Sequence, residues 1–280
     1  MFNNSLKKSA LTIHENAVTR YNSSYEGMTA ACAALYEQRE KAVVQIETVE
    51  QIVNSIANTP KEFETQMGQI RQELLKFSQT KEYAAEAFKS AAISGVGILS
   101  GVAAGGAVAA LAPTAAMGIA TTFGTASTGT AIAALHGVVQ TNAALAWLGG
   151  GALAVGGGGM AAGQALLALA GPIGWTIAAA GTGVSLLSLT SSNKKIANQA
   201  VDEAKKIEAA RGSLDNTTEK VKSISVETQA LSGKLTDQIG QSRRYENADY
   251  SALEYEAQML LGTLVNNTLA LACLVNRTVE

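Results

Sequence analysis

Few side chains in this 280-residue chain could carry out catalysis or bind a metal. Its histidines are His14 and His136, and its cysteines are Cys32 and Cys273. Nucleophilic catalysis needs a general base beside the nucleophile, and a metal site needs several closely spaced His, Cys or carboxylate ligands. Because neither pattern occurs, we predict that the chain is not an enzyme and has no catalytic residue, cofactor or metal site. The two cysteines lie far apart on apolar helical patterns, which predicts two buried thiols rather than a disulfide.

Glycine is the next residue type that could form a site. A phosphate-binding loop is excluded, because there is no GxxxxGK[ST] motif and the stretch GVGILS, residues 95–100, follows no predicted strand. Two series of glycines instead recur every fourth residue: Gly97, Gly101 and Gly105, and Gly159 and Gly163. Small residues on one helix face let membrane helices pack closely, so we predict membrane helix-packing faces here. The alternative is tight packing inside a buried soluble hairpin.

The charged residues are confined to the two ends of the chain. No Asp, Glu, Lys or Arg occurs in the 104 residues 90–193, which also contain 21 of the 27 glycines. A membrane helix needs roughly 20 apolar residues, so this segment is long enough for more than one crossing. We predict an N-terminal amphipathic helical arm over 1–89, a charge-free membrane-inserting segment over 90–193, and a C-terminal amphipathic arm over 194–280.

Helix-breaking residues divide the charge-free segment. The breaks are Pro113, the polar stretch 137–144 and Gly171-Pro172. The pieces between them are 91–112, 114–135, 143–170 and 172–190. This layout fits two long kinked hairpin helices or four shorter crossings, and both remain open. Both have an even number of crossings, which places the two arms on the same side of a membrane.

Individual residues of this segment have the types expected in a membrane. Tryptophan and lysine are favoured at membrane interfaces, and five of them are candidates for that position: Trp147, Trp175, Lys89, Lys194 and Lys195. Uncharged polar side chains are candidates to line a wet pore: Thr121, Thr125, Gln140, Asn142 and Gln164. The alternative for these polar residues is ordinary hydrogen bonding in loops or between helices.

The N-terminal arm has the apolar spacing of long helices. Apolar residues recur every three or four positions from Met28 to Ile56, with Arg39 as the one interruption. The stretch Thr59-Pro60-Lys61-Glu62 then has the cap, first-turn proline and acidic residue that start a new helix. A second apolar stripe follows from Phe63 to Phe77, so the arm is predicted to contain two helices.

The C-terminal arm repeats this organisation more weakly. Its seam runs from Ile207 to Leu235, diluted by Thr217 and Thr228, and Ser251 with Glu254 offers a capping box before a last leucine stripe. That stripe comprises Leu253, Leu260, Leu264, Leu271 and Leu274. We therefore predict an all-α fold, with an elongated antiparallel helical bundle or coiled-coil arms flanking a Gly/Ala-rich hydrophobic helical hairpin.

The net charge limits the possible partners of the chain, and its first residues indicate its location. A formal net charge of −2 argues against nucleic acid as a partner, because phosphate binding needs an excess of Lys and Arg. Lys7 and Lys8 are followed by no continuous apolar core, so no Sec-type signal peptide is predicted. The expectation is synthesis in the cytoplasm and action at a membrane, with non-Sec secretion as the route if the protein leaves the cell.

This organisation resembles the α-helical pore-forming proteins: cytolysin A, the tripartite enterotoxins of bacilli and the apolipoprotein L-like proteins. The resemblance covers the whole chain as an architecture and rests on residues 90–193 with the glycine series GILSGVAAG, residues 97–105. It implies a protein that is soluble or held by an inhibitor, and that later oligomerises through its arms and inserts its apolar hairpin.

The leading function prediction is a membrane-permeabilising pore-forming protein, a toxin or cell-suicide effector. Its partners would be a lipid membrane and further copies of the chain, with a separate protein partner or inhibitor left open. One alternative is a constitutive membrane scaffold or secretion translocator whose coiled-coil arms bind partners. The other is a soluble helical structural protein with a buried glycine-rich centre.

Overall fold

The computed structural model describes residues 2–93, 120–148 and 193–279. Of this part, 86% is helical and none is strand, so the all-α prediction is confirmed. The long helices are α1 Phe2–Ser55, α2 Lys61–Ile93, α3 Gly137–Leu148, α4 Asn193–Ser242 and α5 Tyr255–Val275. Short 3₁₀ turns occupy Ile132–Ala134, Arg243–Tyr245 and Tyr250–Ala252.

The chain forms two compact units. Unit 1 comprises Met1–Cys32, Tyr83–Glu219 and Thr278–Glu280, and unit 2 comprises Ala33–Glu82 and Lys220–Arg277. Each unit therefore contains residues from both predicted arms. The long helices α1 and α4 each contribute residues to both units.

Unit 2 is a bundle of four helical stretches with an apolar core. Its buried residues are Ala42, Ile46, Val49, Ile52, Val53, Ile56, Phe63, Met67, Ile70, Phe77, Leu235, Ile239, Leu261, Leu264, Val265, Leu271, Ala272 and Val275. Spacing of three and four residues places these side chains on one stripe of each helix, which buries them together. The stripes predicted from Met28 to Ile56 and from Phe63 to Phe77 are confirmed by the burial of their apolar residues, except that Leu74 is only partly buried.

Arg39, the predicted interruption of the α1 stripe, is buried in unit 2 with 2% of its surface exposed. Its guanidinium donates a hydrogen bond to the backbone carbonyl of Arg277, just beyond the end of α5. Arg277 in turn pairs through its own side chain with Glu227 of α4, at 2.6 Å. The arginine in the stripe thus binds the chain that follows the last helix.

Successive helices of unit 2 are antiparallel, while corresponding helices of the two arms are parallel. Arg71 of α2 pairs with Glu50 of α1, as expected for a helical hairpin. Between the arms, the contacts advance together along the chain: Gln38 with Ser225, Gln45 with Ser232 and Thr236, Gln66 with Asn266, and Glu73 with Asn276. Antiparallel pairing therefore holds within each arm, and α1 runs parallel to α4.

The two hairpin turns of unit 2 bind each other directly. The amide of Ala57 donates to the carbonyl of Ala248, and the amide of Tyr250 donates to the carbonyl of Ala57, both at 2.9 Å. Asn58, which has a positive φ of 54°, donates from its side chain to Asp249 at 2.8 Å. The hydrogen bonds from Ser251 and Asn58 lower the pKa of the Asp249 carboxyl.

Three local predictions for the C-terminal arm are corrected by the structure. The capping box at Ser251 and Glu254 is wrong: Asp249 accepts the Ser251 amide, and Glu254 makes no side-chain cap to α5. Leu260 and Leu274 are only partly buried, while Leu261, Val265 and Ala272 fill the core. Cys273 is exposed, whereas Cys32 is buried as predicted, and the two do not form a disulfide.

Within unit 1, α1 and α4 also run parallel. His14 contacts Glu203 at 3.3 Å, and Arg20 donates from its Nε to Glu208 at 2.8 Å. Hydrogen bonds from Arg20 and from Arg211 lower the pKa of Glu208. Alanines supply the close contact at this end, since Ala10, Ala197 and Ala200 form a small buried cluster.

Two tyrosines of α1 are buried in unit 1. Tyr21 is fully buried and Tyr25 nearly so. Burial raises the pKa of Tyr21, and it raises the pKa of Tyr25 to about 12, because a phenolate is poorly solvated away from water. Both side chains are therefore neutral at physiological pH and act as packing groups.

Candidate functional site

Residues 120–148, the longest described part of the charge-free segment, form a folded connector within unit 1. Helical residues end at Phe123, and the chain then forms a tight loop. The amide of Ala126 donates to the carbonyl of Thr130 at 2.8 Å, and Gly129 takes a positive φ of 78°. That φ is easily reached only without a Cβ, so glycine permits the loop to reverse.

Gly124 is required where the connector leaves the helix. A Cβ built on it would lie 2.9 Å from Cδ1 of Ile132 and 3.0 Å from Cδ2 of Trp147, and would also collide with the carbonyl of Ala120. Its own carbonyl accepts the Ile132 amide at 3.0 Å. Glycine here allows side chains and backbone to approach closely, which is a packing role rather than ligand binding.

The residues that follow α5 bind the connector. The amide of Val279 donates to the carbonyl of Phe123, and the carbonyl of Val279 accepts the indole N–H of Trp147 at 2.9 Å. The backbones of Val279 and Gly124 lie side by side in parallel, and Val279 is 3% exposed. We call residues 278–279 the tail segment. No sequence pattern predicts this contact, since a stretch of two residues has no periodicity.

The predicted pore-lining residues have different environments in this structure. Gln140 is buried and donates from its side chain to the carbonyl of Ile132 at 3.1 Å. Thr121 is buried, Thr125 is half-buried with its hydroxyl 3.5 Å from the Val279 carbonyl, and Asn142 is exposed. Gln164 lies outside the described residues. In this structure Gln140 therefore binds the loop that precedes its helix.

The predicted break at 137–144 is wrong for this structure, because these residues form the first part of α3. The interruption lies at 124–136 instead, so the candidate piece 114–135 does not continue as one helix beyond Phe123. The physical reason is the pair of glycines, Gly124 and Gly129, that the loop requires. The polar side chain of Gln140 does not break α3, since the carbonyl of Ile132 satisfies it.

The predicted interface residues are described in part. Trp147 lies on α3, half-buried, with its indole bound to the tail segment. Lys194 and Lys195 are exposed in the first turn of α4, and Lys89 lies within α2. Trp175 and the five predicted helix-packing glycines lie outside the described residues: Gly97, Gly101, Gly105, Gly159 and Gly163.

The part of the chain that the structure describes offers little for a membrane span or a metal site. One helix there is long and apolar enough to cross a membrane, the 21-residue α5. Its buried face fills the core of unit 2, so bundle packing already accounts for its apolar composition. Among the same residues, no group of three or more His, Cys, Asp or Glu side chains is placed to hold a metal.

Comparison of the chain with protein-family models, with curated proteins and with solved structures finds no match.

Proposed function

We propose that this chain permeabilises membranes, inserting its charge-free segment 90–193 into a lipid bilayer while its arms assemble with those of other copies. The observation that carries the proposal is the complete absence of charged side chains over 104 consecutive residues. One Lys, Arg or Asp at the centre of a membrane helix costs about 2.5–3.5 kcal/mol. A segment of this length without a single charge is therefore suited to hydrocarbon.

The arrangement of the arms is compatible with movement of the charge-free segment from water into a membrane. The described core of unit 2 consists of residues from 42–77 and 235–275. Both arms contribute, and the two hairpin turns are joined by backbone hydrogen bonds. The bundle therefore has its own source of stability, so that it can stay folded while residues 90–193 enter a membrane.

Dye release from liposomes tests the proposal. The full chain is added to vesicles of phosphatidylcholine with anionic phosphatidylglycerol, at neutral and at acidic pH. We expect release that rises steeply with protein concentration, because assembly of several copies precedes a pore. A companion experiment asks whether the freshly made protein has a soluble pool or resists extraction by alkaline wash, which separates triggered insertion from a constitutive membrane scaffold.

A matched pair of variants locates the activity in the charge-free segment. Leu99→Glu places one carboxylate in that segment, and Val226→Glu places the same group on α4 at a side chain that is 66% exposed. We expect Leu99→Glu to abolish dye release and Val226→Glu to retain it. Equal release by the two variants would contradict insertion of this part of the segment, and no release by the parent chain would favour a soluble structural protein.

A further inference from the structure

Val279 of the tail segment makes two hydrogen bonds to the connector and is almost wholly buried. Its amide binds the Phe123 carbonyl, and its carbonyl binds the Trp147 indole. The first hydrogen bond falls at the last helical residue before the loop, and the second falls on α3 after the loop. The residues involved lie on both sides of the loop, before it at Phe123 and after it at Trp147.

These contacts occupy groups that a continuous helix would use itself. In a continuous α-helix, each backbone carbonyl accepts a hydrogen bond from the amide four residues later. The carbonyl of Phe123 would accept from the amide of Ser127, and the carbonyl of Gly124 from the amide of Thr128. Here the amide of Val279 holds the first carbonyl and the amide of Ile132 holds the second. Inside a bilayer a spanning segment must satisfy its own backbone groups. The tail segment therefore competes with the helical form of the connector.

We infer that Val279 is a latch that keeps the connector folded as a loop, and that its release precedes entry of this part of the chain into a membrane. That Val279 holds the connector follows from the contacts described above. That its release precedes membrane entry rests on the proposed function. The latch requires nothing outside this chain, because both the groups that close it and the groups that compete with it belong to residues 120–148 and 278–279.

A matched pair of lysine variants tests the latch. Val279→Lys puts a charge where the side chain is buried, and an unpaired buried charge is strongly disfavoured, so the tail segment should leave the connector. Val226→Lys makes the same change at an exposed position of α4. Both variants carry the same added charge, so attraction to anionic vesicles is matched. Trp147→Phe is a milder second variant that removes the indole donor and keeps an aromatic ring.

Two readouts are measured on each full-length variant. The first is amide hydrogen exchange over residues 120–148 in solution, which reports whether the connector is held. We expect exchange to be about tenfold faster in Val279→Lys than in the parent and unchanged in Val226→Lys. The second is the lag before dye release from vesicles, which should shorten in Val279→Lys, and less so in Trp147→Phe.

The outcomes separate failure of the latch from failure of the proposed function. Unchanged exchange in Val279→Lys overturns the latch, whatever the vesicles show. Faster exchange with an unaltered or longer lag also overturns it, since the connector would then be free without promoting entry. If neither the parent nor any variant releases dye, the proposed function fails, while faster exchange in Val279→Lys would still show that Val279 holds the connector. Faster exchange in Val279→Lys, together with earlier dye release than in the parent, supports both.

Discussion

The bundle of unit 2 and the connector of unit 1 bury their residues by opposite means. The bundle uses large aliphatic side chains repeated at helical spacing, such as Ile46, Leu261 and Leu264, which are fully buried. The connector uses glycine, backbone hydrogen bonds and one indole, with Gly124 packed against Ile132 and Trp147. The bundle is therefore stabilised by the burial of apolar surface. The connector depends on a few hydrogen bonds and close contacts, which other partners could replace.

The largest expected effect comes from a core truncation in the bundle. Leu264→Ala removes a fully buried side chain from α5, which typically destabilises a protein by about 2–5 kcal/mol. Urea unfolding followed by circular dichroism at 222 nm should show the lower midpoint. Met259→Ala on the same helix, where the side chain is 53% exposed, is the control, and an equal loss in both variants would contradict the bundle core.

The second largest effect is expected when a glycine is replaced by alanine, which should change stability in opposite directions in the connector and in the bundle. Gly124→Ala forces a Cβ into contact with Ile132 and Trp147, and overpacking of this kind costs about 1–3 kcal/mol. Gly262→Ala in α5 meets nothing within 4 Å, so it should stabilise the bundle by up to about 1 kcal/mol through helix propensity. Amide exchange over 120–148 tests the first change and urea unfolding the second. Opposite signs are expected, and a stabilised Gly124→Ala would refute the close packing.

The smallest effect concerns pH and the joined hairpin turns. The pKa of Asp249 is lowered in the folded protein by hydrogen bonds from Ser251 and Asn58. A lowered pKa contributes stability above the unfolded value of about 4, and this contribution is lost as the pH falls through the folded value. Asp249→Asn should therefore flatten the dependence of Tm on pH below about 4. An unchanged acid limb in thermal scans from pH 2 to pH 6 would count against this role.

The same contrast explains what the sequence could predict. The stripes from Met28 to Ile56 and from Phe63 to Phe77 were predictable, because charged residues occupy the other faces of those helices. In α5 the single charged residue, Glu256, leaves the buried face undefined. Leucine spacing therefore predicted Leu260 and Leu274 where the core uses Leu261 and Val265.

The connector was much less predictable than the bundle. Its loop depends on Gly124 meeting Trp147, 23 positions later in the chain, and on Val279, which comes 155 positions later. Periodicity reports only which residues of one helix share a face, and it carries no information on such distant contacts. The polar stretch around Gln140 therefore predicts a break, although the Gln140 side chain donates to the carbonyl of Ile132 and the residue lies within a helix.

Unit 2 is assembled from two separate stretches of chain, Ala33–Glu82 and Lys220–Arg277, and this has a consequence for how the protein can evolve. The residues between Glu82 and Lys220 form a loop whose two ends the bundle holds, so the cost of this loop to the bundle is the entropy of closing it. Doubling the length of a flexible loop costs only about 0.6 kcal/mol of closure entropy. Insertions and deletions in the charge-free segment are therefore nearly neutral for the bundle. Natural selection can vary the length of the charge-free segment while the same four-helix core is kept.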